Sequence, residues 1–215
     1  ITVFEYLPTI IGETLGPYDG YNPAVDASVD PLFGIAAYRY GHVGINAMYM
    51  RVDEDGQMLE APLLLRDTYF RPSYLEEGGG IGPILRGLLT QPEGDIDTSM
   101  VDDVRNFLIA VRGDLAAWDI MRGRDFGLPT YAQARRMYGL SVPSTWEDVT
   151  PDLLVQDALA AVYASPAELE VWVGGLCEPP ARDGAMVGPL FAAIIKAQFE
   201  RTRAGDRFWF RSDWH

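Results

Sequence analysis

Residues 114–129 read Asp-Leu-Ala-Ala-Trp-Asp-Ile-Met-Arg-Gly-Arg-Asp-Phe-Gly-Leu-Pro. Charged residues interrupt this otherwise apolar segment at positions 119, 122, 124 and 125. Charges at this density in an apolar context are usually paired or bound to a ligand, because an unpaired buried charge is costly. The local sequence leaves two interpretations open, a buried salt-bridge network and a site that binds a charged or polar group.

A second informative segment begins at Asp30-Pro31, which is typical of a helix N-cap followed by proline at the first helical position. We expect this helix to run to about Met50. One of its faces carries residues spaced by three and four positions, namely Ile35, Tyr38, His42, Ile45 and Tyr49.

His42 is the only internal histidine, and Arg39 precedes it by one helical turn. A lone histidine on an apolar helix face is more often a structural residue than a ligand. A haem, however, needs an apolar wall, an imidazole for the iron and guanidinium groups for its propionates, and this helix offers all three. Both interpretations stay open on the local sequence.

Composition restricts the class of protein. The chain has 215 residues, of which 48% are hydrophobic and 22% charged, as in a soluble globular domain or a large part of one. The net charge of -14, with Lys196 as the only lysine, argues against nucleic acid or an anionic membrane as the main partner. No apolar run is long enough for a transmembrane segment, and no secretory signal is evident at the start. Cys177 is the only cysteine and is expected to be a buried small hydrophobe.

The remaining patterns predict a mainly α-helical fold with long irregular loops, since no strand alternation is long enough for a sheet. Residues 1–12 resemble the end of a helix, residues 13–29 a loop and residues 51–63 a hairpin or extended loop around Gly56. The glycine run at 78–82 predicts a loop before a short helix at 83–90. Thr98 or Ser99 is expected to cap a helix over 100–110, with Asp102 and Asp103 in its solvated first turn. Further helices are expected over 112–122, 131–138, 151–163 and 186–203.

Several common catalytic motifs are missing from the sequence. It contains no Walker loop, no Gly-X-Ser-X-Gly elbow and no His-Glu-X-X-His zinc motif. A Ser/His/Asp triad would have to use His42 or the terminal His215, and nothing marks a partner serine.

Two stretches carry a family resemblance. The segment Ala37–His42 resembles the proximal-histidine helix of the animal haem peroxidases, in the peroxidase–cyclooxygenase superfamily. Residues 114–129 resemble their motif Asp-Leu-X-Ala-X-Asn/Asp-X-X-Arg-Gly-Arg-Asp-His-Gly-Leu-Pro. Supporting blocks keep the family order at residues 5–8, 85–88, 101–108, 172–178, 187–189 and 205–209. The resemblance covers essentially residues 1–215 and implies a single domain portion, the C-terminal section of a haem peroxidase domain.

The resemblance implies roles for individual residues. His42 would be the proximal ligand of the iron in haem b, and Arg39 and Arg122 would hold the propionates. Asp119 falls where many members have asparagine, and it would accept a hydrogen bond from the imidazole Nδ1–H and increase its imidazolate character. Leu115 and Trp118 would lie near the proximal side. Asp119 and Arg39 are therefore the expected catalytic residues of this section.

Two departures from the family pattern bear on function. Phe126 replaces the usual histidine after Arg-Gly-Arg-Asp, at a position expected to be structural. Arg39 stands where cyclooxygenases have their radical tyrosine, which favours peroxidase chemistry over fatty-acid oxygenation.

In the family, the distal histidine, distal arginine and calcium loop lie upstream of the block that begins here. The resemblance therefore implies a haem peroxidase that oxidises a small-molecule donor with hydrogen peroxide, completed by the remaining N-terminal section. Any calcium would be bound by residues outside the chain. A catalytically incomplete structural or interaction module is the alternative. Most relatives act outside the cell or in secretory compartments, and the same location is expected here.

Overall fold

The structure is a computed structural model and describes residues 1–59, 62–76, 79–110 and 113–211. It contains two compact units, one formed by Ile1–Tyr40 with Asp119–His215 and the other by Gly41–Trp118. Helices dominate the described residues, which confirms the mainly α prediction. No helix within these ranges is long and apolar enough to cross a membrane. The prediction of a single domain portion over residues 1–215 stays a prediction.

The core of the first unit is centred on the helix Pro189–Gly205, called here the C-terminal helix. Gly188 is its N-cap and Pro189 occupies its first position, where the missing N–H costs nothing. Leu190, Phe191, Ile194 and Ile195 are completely buried along one face, as the spacing of one helical stripe requires. The prediction of a helix near 186–203 is therefore confirmed.

The other helices that include first-unit residues follow in chain order. They are Thr2–Tyr6, Leu7–Ile11, Leu32–Ala36, Ala37–His42, Leu115–Asp125, Tyr131–Met137, Leu153–Val162, Pro166–Glu168 and Val171–Cys177. The predicted loop at 13–29 and the helices near 131–138 and 151–163 are confirmed. The capping box of Thr130 and Gln133 starts the helix Tyr131–Met137, and the Asp152 side chain caps Leu153–Val162.

The helix Val171–Cys177 was not predicted, because its seven residues hold two adjacent glycines, which have low helix propensity. Packing explains them. A Cβ atom on Gly174 would lie 2.3 Å from the Tyr131 ring, and one on Gly175 would lie 2.1 Å from the Phe191 ring. The glycines therefore allow this helix to approach two aromatic side chains of neighbouring helices. Cys177, at its end, is buried as expected.

The second unit combines a small antiparallel ladder with short helices. Met48–Tyr49 pairs with Leu63–Leu64, and the hairpin predicted around Gly56 is confirmed by a bridge between Val52 and Met58. Its helical segments are Leu65–Thr68, Ser73–Glu76, Ile81–Thr90, Asp102–Arg105 and Leu108–Ala110. The helix predicted at 83–90 thus begins two residues earlier. Glu60, Ala61 and Gly78 of the predicted loops lie outside the described residues.

The helix expected to reach Met50 instead ends at His42, so that part of the prediction was wrong. The backbone after His42 bonds to distant segments. The Gly44 carbonyl accepts from Gly94 N–H at 2.9 Å, and the Ala47 carbonyl accepts from Leu65 N–H at 2.8 Å. These long-range bonds replace the i to i−4 bonds that a continued helix would need.

The predicted helix over 100–110 is divided into two short segments, and its expected cap was also wrong. Val101 is the N-cap of Asp102–Arg105 and makes no side-chain cap bond. Asp103 was expected to be solvated but is only 1% exposed. It accepts from Arg66 through both carboxylate oxygens, at 3.0 Å from Nε and 2.7 Å from a terminal nitrogen. An ion pair between the buried Asp103 and the partly exposed Arg66 therefore holds this helix on the segment Leu65–Thr68.

Candidate functional site

The segment Ala37–His42, called here the histidine helix, follows directly after the wider helical turn Leu32–Ala36. Ala36 and Ala37 are completely buried, and small side chains at these positions allow close packing. The Tyr40 hydroxyl lies 2.7 Å from the Tyr6 hydroxyl, which joins the helix to Thr2–Tyr6. The first unit therefore holds the start of the histidine helix firmly.

Arg39 is bound locally. Its Nε donates to the Gly34 carbonyl at 2.9 Å, which fixes the orientation of the guanidinium plane through one of its five N–H groups. The guanidinium is half-buried. The other N–H groups of the Arg39 guanidinium can therefore donate hydrogen bonds to an anionic group. A residue that binds a haem propionate must be able to do this.

His42 is the last residue of the histidine helix and is half-buried. The neighbouring Gly41 is exposed, and no heavy atom lies within 4 Å of the position that its Cβ would take. Its φ lies outside the left-handed region, so backbone conformation does not demand glycine here. A flat group can approach the backbone closely at this point.

Asp119 and Arg122 form an ion pair on the helix Leu115–Asp125, called here the motif helix. Arg122 donates to Asp119 Oδ1 at 2.9 Å, the one-turn separation that brings i and i+3 side chains together. Asp119 is 1% exposed, whereas the Arg122 side chain is 30% exposed. A buried carboxylate is thus matched by a cation that also reaches the surface. The start of the predicted helix, at Arg112, lies outside the described residues.

Arg124 has a different partner. Its Nε donates to Glu170 Oε1 at 2.9 Å, and the Tyr163 hydroxyl donates to Glu170 Oε2. Together these hydrogen bonds lower the pKa of the Glu170 carboxyl, although burial opposes them. The second arginine of the motif therefore ties the motif helix to the start of Val171–Cys177. The interpretation of paired charges is supported at both Asp119 and Arg124.

The sequence reasoning missed Glu170 and Tyr163 because nothing local marks them as partners of a residue more than 35 positions away. Phe126, which replaces the family histidine, is 63% exposed. Its ring is therefore not a core element of the motif helix.

The apolar residues proposed near the proximal side lie in the second unit. Trp118 is 38% exposed and Leu115 is half-buried. The indole packs over Gly113, since a Cβ there would lie 3.4 Å from the Trp118 ring and 3.3 Å from Leu108 Cβ. Glycine at position 113 therefore leaves the space that the Trp118 indole occupies.

The division into units separates the predicted site residues into two sets. Arg39, Asp119 and Arg122 belong to the first unit, and His42, Leu115 and Trp118 to the second. The structure brings Asp119 and Arg122 into direct contact. Roles that require both sets to act on one ligand remain proposals.

The donor set fits a haem. An imidazole is a common axial ligand of haem iron, and arginines match propionate carboxylates in geometry and charge. Gly41 beside His42 is exposed, which leaves the backbone at this point open to a ligand. No cluster of three or more histidine, cysteine or acidic residues that would suit a bare metal ion occurs among the described residues.

A cavity of about 200 Å³ also lies within the first unit, lined by apolar residues such as Ile120 and Trp172 and by the charged residues Asp119, Arg124 and Glu170. It is smaller than the roughly 300–1,000 Å³ of typical cofactor or ligand pockets. This cavity is therefore not where we place a haem.

The helical fold and the two motif segments agree with what comparison with known proteins shows. The family model described as animal haem peroxidase matches residues 1–215, so the chain belongs to the animal haem peroxidase family. Peroxinectin A of Dictyostelium discoideum is 40% identical over 99% of this chain and 40% of its own length. Thyroid peroxidase of Sus scrofa is 39% identical over 99% of this chain and 24% of its own length.

A solved structure agrees closely. Peroxidase A from Dictyostelium discoideum superposes with a TM-score of 0.92 at 40% identity, covering 99% of this chain and 41% of that one. The fatty acid alpha-dioxygenase of Oryza sativa, at 22% identity and a TM-score of 0.74, shares the fold alone. The chain therefore spans about 40% of the Dictyostelium relative that it matches.

Proposed function

We propose that this chain supplies the proximal haem side of a peroxidase that oxidises a small-molecule donor with hydrogen peroxide. Family membership over residues 1–215 supports the proposal, together with the resemblance of the segment Ala37–His42 to the proximal-histidine helix of the family. The pairing of the buried Asp119 carboxylate with the partly exposed Arg122 is the single observation that carries it. Burying a carboxylate costs free energy, and a hydrogen bond that Asp119 accepts from the His42 imidazole accounts for its burial in this proposal.

Each side chain has a role in this proposal. His42 binds the iron, and Asp119 accepts a hydrogen bond from the imidazole Nδ1–H and so fixes the tautomer and orientation of the ring. Arg122 donates to one Asp119 oxygen. It thereby draws charge from the carboxylate and moderates how much imidazolate character His42 acquires. Arg39 and Arg122 also attract the propionates, while Leu115 and Trp118 form the apolar wall.

When bound, haem b supplies the redox chemistry by which peroxide is reduced and the donor oxidised. Peroxide cleavage also needs a distal base to move the proton and a cation to stabilise charge on the departing oxygen. These groups would come from the remaining N-terminal section, which is the main partner proposed here. Any bound calcium would belong to that section, and we propose that the whole polypeptide acts outside the cell or in a secretory compartment.

The test is an absorption spectrum of the longer polypeptide that contains this chain, with His42→Ala beside the control His215→Ala. The wild-type and the control should show the Soret band of bound haem, whereas His42→Ala should lose it or shift it strongly. An unchanged Soret band in His42→Ala would contradict the assignment of the proximal ligand.

A second candidate function is a peroxidase-like structural or interaction module without turnover, motivated by Phe126 at the position where the family pattern has histidine. A steady-state assay separates the two functions. Full haem occupancy with peroxide-dependent oxidation of a phenolic donor excludes the alternative, and haem-free protein with no turnover supports it.

A further inference from the structure

The helix Ile81–Thr90 in the second unit presents apolar side chains to solvent. Ile81, Leu85, Leu88 and Leu89 are 58%, 51%, 49% and 86% exposed. Their positions i, i+4, i+7 and i+8 place them on one helical face, called here the outer stripe. None of the four side chains carries a charge, so this helical face exposes an apolar surface to water.

The opposite face of this helix is attached to the second unit and cannot be exchanged for the outer stripe. Pro83 and Gly87 are the buried residues there. A Cβ on Gly87 would lie 1.8 Å from the Met50 carbonyl oxygen, so any larger side chain would clash with backbone. Arg86 Nε donates to the Val52 carbonyl at 2.9 Å, and Val52 N–H donates to the Pro83 carbonyl at 3.0 Å.

This attachment has a consequence for the outer stripe. Rotating the helix to bury its leucines would bring side chains into the space that only Gly87 fits, and would break the hydrogen bonds that Arg86 Nε and the Pro83 carbonyl make with the Val52 backbone. The outer stripe is therefore directed outward by the fold itself. A contiguous apolar face of this kind on a soluble protein marks an interaction surface.

The length of the relatives indicates the occupant. This chain covers 41% of the Dictyostelium peroxidase A chain, so more than half of that chain has no counterpart here. The outer stripe is uncharged, although the chain as a whole carries a net charge of -14, so it suits an apolar polypeptide face rather than a charged surface.

We propose that the outer stripe is a docking surface for the remaining section of the same peroxidase polypeptide. The inference rests on the proposed function, in which this chain is one section of a longer peroxidase. Leu85 and Leu88 lie at the centre of the contact, and Leu89, the most exposed of the four, is enclosed by it.

Thiol labelling of the longer polypeptide tests the proposal. Leu89→Cys places a thiol in the contact, and Asp55→Cys places a matched thiol at the exposed turn of the hairpin. The native Cys177 is buried in the folded protein and its pKa is raised to about 12, but urea exposes it, so each labelling rate is read from the peptide that carries the introduced thiol. The folded polypeptide should react at Leu89→Cys at least about tenfold more slowly than the urea-unfolded one, while Asp55→Cys should react at similar rates in both.

Adding Leu85→Glu should restore fast labelling at Leu89→Cys, because a charge in an apolar contact opposes docking. Adding Leu154→Glu, at an 80% exposed leucine on the helix Leu153–Val162, should not. Far-UV circular dichroism confirms that each variant is folded, and Ile81→Glu replaces Leu85→Glu if that variant is not.

Rapid labelling of Leu89→Cys in the folded polypeptide, or protection that survives both glutamate variants, would overturn the proposal. Protection that appears only as the protein concentration rises would assign the outer stripe to a second copy and also overturn it. The assay is independent of His42, so loss of haem ligation and loss of docking are separate results.

Discussion

Replacing Glu178 with glutamine should destabilise the protein strongly, because this carboxylate joins three helices in the core of the first unit. Its Oε1 accepts from the Tyr131 hydroxyl at 2.7 Å and from Arg135, and its Oε2 accepts from Leu190 N–H at 2.7 Å. Burial raises the pKa of the Glu178 carboxyl, and these three donors oppose that effect. Leu190 lies in the first turn of the C-terminal helix, so the carboxylate also faces the positive end of a helix dipole.

The expected magnitude follows from what the substitution leaves behind. Glu178→Gln keeps the shape of the side chain but removes the charge, and the Arg135 side chain, only 10% exposed, then has no buried counter-charge. Removing one partner of a buried ion pair typically costs about 3–5 kcal/mol. Since an amide oxygen still accepts one hydrogen bond, we expect the lower end of that range.

Urea unfolding followed by far-UV circular dichroism measures the effect. Glu168→Gln, at an exposed glutamate of the same unit, is the matched control and should change the free energy of unfolding by less than about 0.5 kcal/mol. Arg135→Met should also destabilise, and the double variant Arg135→Met/Glu178→Gln should lose less than the sum of the two single losses. Strict additivity, or a loss below about 1 kcal/mol for Glu178→Gln, would refute the reasoning.

Three further predictions concern single side chains. In the longer polypeptide, Asp119→Asn should retain haem but raise its reduction potential. An amide oxygen accepts a weaker hydrogen bond from the His42 Nδ1–H than a carboxylate does, so the imidazole has less imidazolate character. A potential equal to that of wild-type would contradict the proximal hydrogen bond. Asp103→Asn should lower the urea midpoint at pH 7. The hydrogen bonds from Arg66 hold the pKa of Asp103 below its usual value. That stabilisation is present above the unfolded pKa of about 4 and is lost as the pH falls through the folded pKa. The urea midpoints of wild-type and Asp103→Asn should therefore converge in acid. A constant difference between the two midpoints down to about pH 2 would argue against the ion pair. Cys177, whose pKa is raised by burial to about 12, should label only as fast as the protein unfolds, and rapid labelling of native protein would show that the thiol is accessible.

The sequence was informative wherever a signal is local. The apolar residues Leu190, Phe191, Ile194 and Ile195 predicted the C-terminal helix, and all four are buried in it. The charge pattern at 119–125 left pairing and ligand binding open, and the bonds of Asp119 and Arg124 support pairing. The sequence did not indicate the partner Glu170, because the relevant contact spans 46 positions.

Local patterns failed where distant backbone decided the outcome. The spacing of Ile45 and Tyr49 is typical of a helix. In the structure, however, Met48–Tyr49 forms a strand that pairs with Leu63–Leu64. Asp103 resembles any acidic residue in a first helical turn, yet the approach of Arg66 buries it. No pattern in the neighbouring residues indicates either of these long-range contacts.

Sequence alone determined the mainly α fold, the family, and the candidate residues His42, Arg39 and Asp119, because helix signals and motif spacing are properties of consecutive residues. Tertiary structure alone decided which charges are paired, since the pairing of Arg122 with Asp119 and of Arg124 with Glu170 depends on which helix faces meet. It also decided that the leucines at 85, 88 and 89 face outward. An apolar stripe predicts burial in general, but the close approach of Gly87 to the Met50 backbone fixes the opposite face inward and leaves the stripe exposed.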